Sequence, residues 1–247
     1  MDKVVKFYQQ GSIGIVVLEE REFKNTFSKR FINDLMETFH MIQRESWIKV
    51  IVVQGYDNYF CCGGTKEELI SILEGRAKFS DLNFYDLLLR CEVPVICAMQ
   101  GHALGGGLVF GSYGDIIVMG EECIYTTNFM KYGFTPGMGA TYIIPKKFGE
   151  VLGKEMLHRA SNYYGKELKE RGAPAKIVTK QDVIPTALKI AEELADKPLL
   201  SLKTLKKHLT SQIRSELPAI IEQELKMHEL TFAQPEVRNR IETLFGN

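Results

Sequence analysis

No stretch of this sequence holds the roughly 18 consecutive apolar residues that a membrane-spanning helix needs. The opening Met1-Asp2-Lys3-Val4 lacks the apolar run and small-residue cleavage site of a secretory signal. Both absences point to a cytoplasmic protein with no membrane partner. There is no excess of either charge, since 31 lysines and arginines balance 31 aspartates and glutamates, so no global field draws in a nucleic acid. The five cysteines contain no C-x-x-C pair, which removes the usual signal for a zinc or redox site and leaves buried, reduced thiols as the economical reading. Low-complexity linkers and internal repeats are missing as well. The one basic cluster, Lys203-Thr204-Leu205-Lys206-Lys207-His208, reads as a solvated helix face.

What remains is an ordinary globular composition, 45% apolar and 25% charged over 247 residues, enough to bury a large core. Residues 4–8 and 13–18 read as short strands around the turn Gln10-Gly11-Ser12. Ser28 is placed to cap a helix whose buried face is Phe31, Leu35, Phe39 and Ile42, spaced 4, 4 and 3. The apolar runs at 50–53, 93–99 and 116–119 predict strands covered on both faces. Helical periodicity lies between them, which suggests ββα or βαβ units and a largely parallel sheet. After about residue 140 the pattern turns mainly helical, most clearly over 182–196, 200–209, 217–232 and 236–244. That tail is expected to pack on the sheet portion or on another subunit.

Two glycine-rich turns follow strands: Tyr59-Phe60-Cys61-Cys62-Gly63-Gly64-Thr65 and Gly101-His102-Ala103-Leu104-Gly105-Gly106-Gly107. Such turns, opening into helices, expose N–H groups that no intrahelical carbonyl accepts. Neither turn contains G-x-x-x-x-G-K-[ST] or G-x-G-x-x-G, so phosphate binding is disfavoured. Gly111-Ser112-Tyr113-Gly114 is one residue short of G-x-S-x-G, which argues against a serine hydrolase. On spacing alone, tight turning and close packing would also account for the glycines.

These turns, with Asn25-Thr26-Phe27-Ser28 before them and Gly133-Phe134-Thr135-Pro136-Gly137-Met138-Gly139-Ala140 after, resemble the motifs of the crotonase, or enoyl-CoA hydratase/isomerase, superfamily. The likeness runs in order across almost the whole chain. It implies a single α/β domain over residues 1–247: a spiral of ββα units to about residue 195, then a helical region over about 196–247 that supports a homotrimer. It also implies that the N–H groups of Gly64 and Gly106 form an oxyanion hole for a thioester carbonyl. Losing one such donor typically costs about 2.7–4 kcal/mol of transition-state stabilisation. No metal and no separate cofactor are implied.

The departures from the family pattern narrow the chemistry. Hydratases manage water with two glutamates, and the matching positions here are Val109 and Phe129. Neither side chain transfers protons, so water addition is disfavoured and the pocket, with Phe134 and Met138 also in its wall, should be dry. Asn128 to Thr141, Gly55-Tyr56-Asp57-Asn58-Tyr59-Phe60 and Glu224-Leu225-Lys226-Met227-His228-Glu229 resemble the PksI-type decarboxylases of polyketide β-branching cassettes. That likeness implies decarboxylation of 3-methylglutaconyl to 3-methylcrotonyl on the phosphopantetheine of an acyl carrier protein.

His228 interrupts a helical stripe of Leu217, Ile221, Leu225 and Phe232. Taken alone it reads as a satisfied core histidine, whereas the resemblance makes it functional. An ordinary imidazole pKa near 6.5 suits a proton donor to the dienolate carbon or a partner for the substrate carboxylate. Lys78 matches the subgroup lysine that engages the departing carboxylate, although blind it would be a solvated loop residue. Some related decarboxylases carry a tyrosine and a lysine where this chain has Glu68 and Ile72. Lys24 matches a region near the phosphates of CoA and is a possible pantetheine contact or a plain surface residue. His102 is expected to be structural, and Tyr132 and Tyr142 to be packing residues. Two other readings stay open: an enoyl-thioester isomerase, and a crotonase-fold binding module without chemistry.

Overall fold

The computed structural model describes residues 2–77 and 84–245, so Lys78 lies outside the described residues. Strands β1 (Val5–Gln10) and β2 (Ile13–Leu18) pair as an antiparallel hairpin. Helix α1 (Lys29–Ile42) follows. The Ser28 hydroxyl accepts the Phe31 N–H at its start, and Phe31, Leu35, Phe39 and Ile42 are buried along one face.

From there the chain winds in repeated turns. Each contributes one strand to a large sheet, a short strand to a second sheet, and then a helix. The first turn is β3 (Val50–Gln54), β4 (Tyr59–Cys61) and α2 (Lys66–Leu73). After the short α3 (Leu87–Arg90) come β5 (Val95–Met99), β6 (His102–Leu104) and α4 (Gly106–Ser112). The third is β7 (Ile116–Gly120), β8 (Ile124–Thr126) and, beyond a 3-10 turn at Met130–Tyr132, α5 (Ala140–Phe148). Next are α6 (Glu150–Arg159), β9 (Tyr163–Tyr164), α7 (Gly165–Glu170) and β10 (Lys176–Val178). Helices α8 (Val183–Ala195), α9 (Leu199–Leu209), α10 (Ser211–Phe232) and α11 (Pro235–Leu244) form the C-terminal bundle. This is the α/β crotonase-like fold.

The large sheet has the order β1-β2-β3-β5-β7-β10 and the small one β4-β6-β8-β9. Apart from the β1–β2 and β8–β9 pairs, neighbouring strands run parallel. Alternation along the buried strands divides the core in two. Val50, Val52, Ile96, Ala98 and Val118 meet Ala187 and Ala191 of α8. Ile51, Val53, Val95, Cys97 and Met99 face the larger core that includes α1 and α4.

One boundary differs from the sequence expectation. The helix read as starting at residue 217 begins at Ser211 and runs through Pro218. Proline removes one backbone donor, but Pro218 sits on the exposed side, where solvent can satisfy the carbonyl left over and the helix continues. The tail packs back on its own chain. Lys66 of α2 donates to the Glu242 carbonyl of α11 at 3.0 Å, and α10 lies against α5. Among the described residues no helix is long and apolar enough to cross a membrane.

Candidate active site

Parallel pairing of β4 with β6, which sets Cys61 opposite Ala103, lays the two glycine turns side by side. A Cβ on Gly107 would stand 2.0 Å from the Cys61 carbonyl oxygen, and one on Gly63 would stand 3.0 Å from the Gly106 nitrogen. Side chains there would force the turns apart. Each turn opens into a helix. Thr65 and Glu68 close a capping box at the head of α2, with hydrogen bonds of 3.1 and 3.3 Å. Gly105 caps α4 and its own N–H is held by the Thr126 carbonyl at 2.8 Å. Among the described residues no protein acceptor takes the N–H of Gly64 or of Gly106. The space on the Cβ side of Gly64 is open, whereas that of Gly106 is filled by the Phe27 ring and the Met138 sulfur.

Met138 belongs to a tight bend before α5, with φ of +63°. Its carbonyl accepts the Tyr113 hydroxyl at 2.7 Å. The preceding residue, Gly137, lies against the histidine: a Cβ there would be 2.3 Å from His228 Cε1. Met138, Gly137, Tyr85, Glu224 and His228 line one narrow cavity. Met138 therefore touches both the Gly106 turn and the histidine cavity, and the bend joins the two halves of the candidate site.

His228 is buried, and its Nε2 lies 2.6 Å from the Thr135 carbonyl oxygen. A carbonyl only accepts, so the proton of the neutral ring sits on Nε2. Burial pushes the imidazole pKa down to about 4, against a smaller opposing pull from the Thr135 hydrogen bond. The resting ring is therefore neutral at physiological pH, and its basicity is below the ordinary value expected from sequence. Aromatic rings enclose it. Phe232 is 5.6 Å and Phe134 6.3 Å away, and Phe129 packs edge-on against Phe134 at 6.1 Å. Phe129 thus belongs to the same apolar wall as the histidine. Val109 is fully buried in α4.

The other sequence candidates separate. Lys24 is exposed, with φ of +59° and its ammonium 5.4 Å from the centre of the Tyr59 ring. It lies at the edge of the first glycine turn and does not line the histidine cavity. His102 is structural, as expected, because its Nδ1 accepts the Ile124 N–H at 3.0 Å. Tyr132 is packed in the aromatic cluster, 6.2 Å from Phe134, and Tyr142 donates to Glu216. Cys62 is held protonated, its pKa pushed up to about 12 by burial. Glu68 is used by the capping box. Among the described residues no three His, Cys, Asp or Glu side chains gather as metal ligands.

Glu224 and Tyr113 were missed by the sequence reading. The signal for Glu224 was present: Leu217, Ile221, Glu224 and His228 are spaced 4, 3 and 4, and Leu217, Glu224 and His228 are the buried members.

The enoyl-CoA hydratase/isomerase family model matches residues 8–245. The chain is 50% identical over 232 residues to the bacillaene synthase decarboxylase PksI of Bacillus subtilis, covering 94% of this chain and 93% of the relative. Among solved structures it superposes with a TM-score of 0.97 and 48% identity on a member of a dehydratase/decarboxylase enzyme couple involved in polyketide β-branching, covering 99% of this chain and all of that one. The ECH2 decarboxylase domain of CurF from Lyngbya majuscula matches with a TM-score of 0.96 and 40% identity over 99% of this chain and all of that domain.

Proposed function

The chain belongs to the enoyl-CoA hydratase/isomerase family, and we propose that it converts 3-methylglutaconyl to 3-methylcrotonyl on the phosphopantetheine of an acyl carrier protein. It is a decarboxylase of polyketide β-branching rather than a hydratase. The observation that carries the finer reading is a combination within one site. Two N–H groups without protein acceptors lie in adjacent turns, while Val109 and Phe129 are buried and apolar where water-handling carboxylates would stand.

The reaction then proceeds as follows. The bond to the carboxylate carbon breaks and carbon dioxide leaves. Its electron pair passes through the conjugated double bond into the thioester carbonyl. The resulting dienolate oxygen is stabilised by the N–H groups of Gly64 and Gly106, and a dry wall strengthens that interaction. The carbanionic carbon finally takes a proton. His228 delivers it after the incoming substrate carboxylate has favoured the charged ring, since a nearby anion raises an imidazole pKa that burial has lowered. Lys78 orients the carboxylate in this scheme, and Lys24 contacts the pantetheine arm. The assembly is a homotrimer. The exposed Leu205 and Leu209 of α9 support an oligomer by offering apolar surface to a second copy.

Intact-protein mass spectrometry of the carrier loaded with 3-methylglutaconyl tests the reaction. The loaded arm is expected to lose the mass of carbon dioxide, faster than the CoA ester run beside it. A verified loaded carrier that keeps its mass defeats the proposal, and a shifted double bond at constant mass assigns an isomerase instead.

A further inference from the structure

One buried charge has no part in this scheme. Glu224 is 1% exposed on α10, one helical turn before His228. Its carboxylate is met by three hydrogen-bond donors: the Gly139 N–H at 2.6 Å, the Thr141 N–H at 2.9 Å and the Thr141 hydroxyl at 2.6 Å. All three belong to the first turn of α5, where partial positive charge accumulates.

That helix has no side-chain cap of its own. Its N-cap position, Gly139, has φ of +77°, and a Cβ there would stand 2.2 Å from the Tyr113 hydroxyl. Serine or aspartate is therefore shut out of the place where a cap normally sits. The acceptor comes instead from a residue 85 positions away in sequence. A buried carboxylate is a poor device for stability alone, because desolvation offsets much of what its hydrogen bonds contribute. What it supplies is a fixed direction.

The thing so fixed is the bend at residues 137–139. Gly137 seats the imidazole and Met138 backs Gly106. At one end of the segment His228 bonds the Thr135 carbonyl, and at the other Glu224 bonds Gly139 and Thr141. We propose that Glu224 is a positioning residue of the reaction: by capping α5 from α10, it holds the bend so that His228 and the Gly106 turn keep one mutual register. The kinetic part of this proposal rests on decarboxylation as the chain's reaction.

Glu224→Gln keeps the size of the side chain but sets an amide NH2 against one of the donors. A folded variant is expected to lose about 10- to 100-fold in kcat, as a displacement near 1 Å does, with KM changed less than about threefold. The amides of Gly139 and Thr141 should exchange faster with solvent, and the His228 Nε2–H proton resonance should broaden. Glu222→Gln, an exposed site paired with Lys226, serves as the unchanged control. A lower melting temperature with wild-type kcat would mean a structural cap only and would overturn the proposal. Should the glutamine variant not fold, Thr141→Val removes a single hydroxyl donor. It is expected to lower kcat about three- to tenfold, and an unchanged kcat overturns the proposal equally. If the wild-type protein releases no carbon dioxide, the reaction assignment is what fails. The imidazole resonance still decides the role of Glu224, since a sharp, unshifted signal in Glu224→Gln rules it out.

Discussion

On the glycine side of the candidate site the proposed chemistry rests on backbone: the N–H groups of Gly64 and Gly106 are set by β4, β6 and the heads of two helices. On the α10 side it is carried by side chains, His228 and the Glu224 that braces the bend beneath it. The first half is assembled from segments about 40 residues apart by strand pairing. The second needs contacts across 83 to 93 residues. The difference teaches where each half is fragile. A backbone donor survives any change that leaves the turn intact, whereas a buried side chain depends on every element packed around it.

Deleting the side-chain chemistry therefore gives the largest effect. His228→Ala is expected to lower single-turnover decarboxylation by about 10²–10⁴-fold, the range for a lost proton-transfer group. A rate close to wild type on a loaded carrier would remove the imidazole from the mechanism and leave the backbone half to act alone.

The next effect strikes the backbone half through its packing. Gly106→Ala places a methyl 2.6 Å from the Phe27 ring and 3.0 Å from the Met138 sulfur, so the turn must shift and carry its N–H with it. A loss of about 10²–10³-fold in kcat is expected, as for other lost oxyanion donors. If crystallography of that variant showed the N–H unmoved while activity fell, the damage would lie in the Met138 bend and the two halves would be more tightly joined than drawn above.

The same contrast governs what was legible in the sequence. Glycines at a strand exit, runs of β-branched residues and a 4-4-3 apolar stripe are local signals, and they located β3, β5, β7, α1 and both turns. The short strands of the second sheet were invisible as strands, because three residues carry no periodicity and their pairing is long-range. His228 stood out as a polar residue in an apolar stripe, but its depressed basicity did not, since burial by Phe134 and Phe232 is a tertiary fact. Glu224 was hidden by a choice of stripe: Leu225 looks like the core residue, yet it is Glu224 that is buried. Two of its three donors are backbone N–H groups at the end of a helix, and helix ends leave no mark at the partner's position in sequence.

That depressed basicity sets a smaller, thermodynamic effect confined to the side-chain half. The folded state holds His228 at about 4, below the roughly 6.5 of an unfolded histidine. The folded protein therefore resists protonation. Stability is full above pH of about 6.5 and falls as the pH drops toward 4, by up to about 3 kcal/mol from this residue. His228→Gln keeps a donor for the Thr135 carbonyl but cannot titrate. Urea melts between pH 7 and 4 should show the wild type losing more stability than the variant, and equal slopes would mean that the ring is more hydrated than its burial implies.

The smallest effect is expected at Gly64, and it sharpens the comparison within the backbone half itself. A Cβ built there meets nothing within 4 Å, in contrast to the crowding at Gly106. The methyl of Gly64→Ala enters open space and leaves the N–H where it was, so stability should stay within about 0.5 kcal/mol of wild type. Any cost should fall on substrate entering that space, raising KM with kcat lowered less than about tenfold. A loss in kcat as large as that of Gly106→Ala, in a variant of unchanged stability, would place reacting atoms against the Cβ side of Gly64 and make the first glycine turn, rather than the second, the tighter wall of the oxyanion hole.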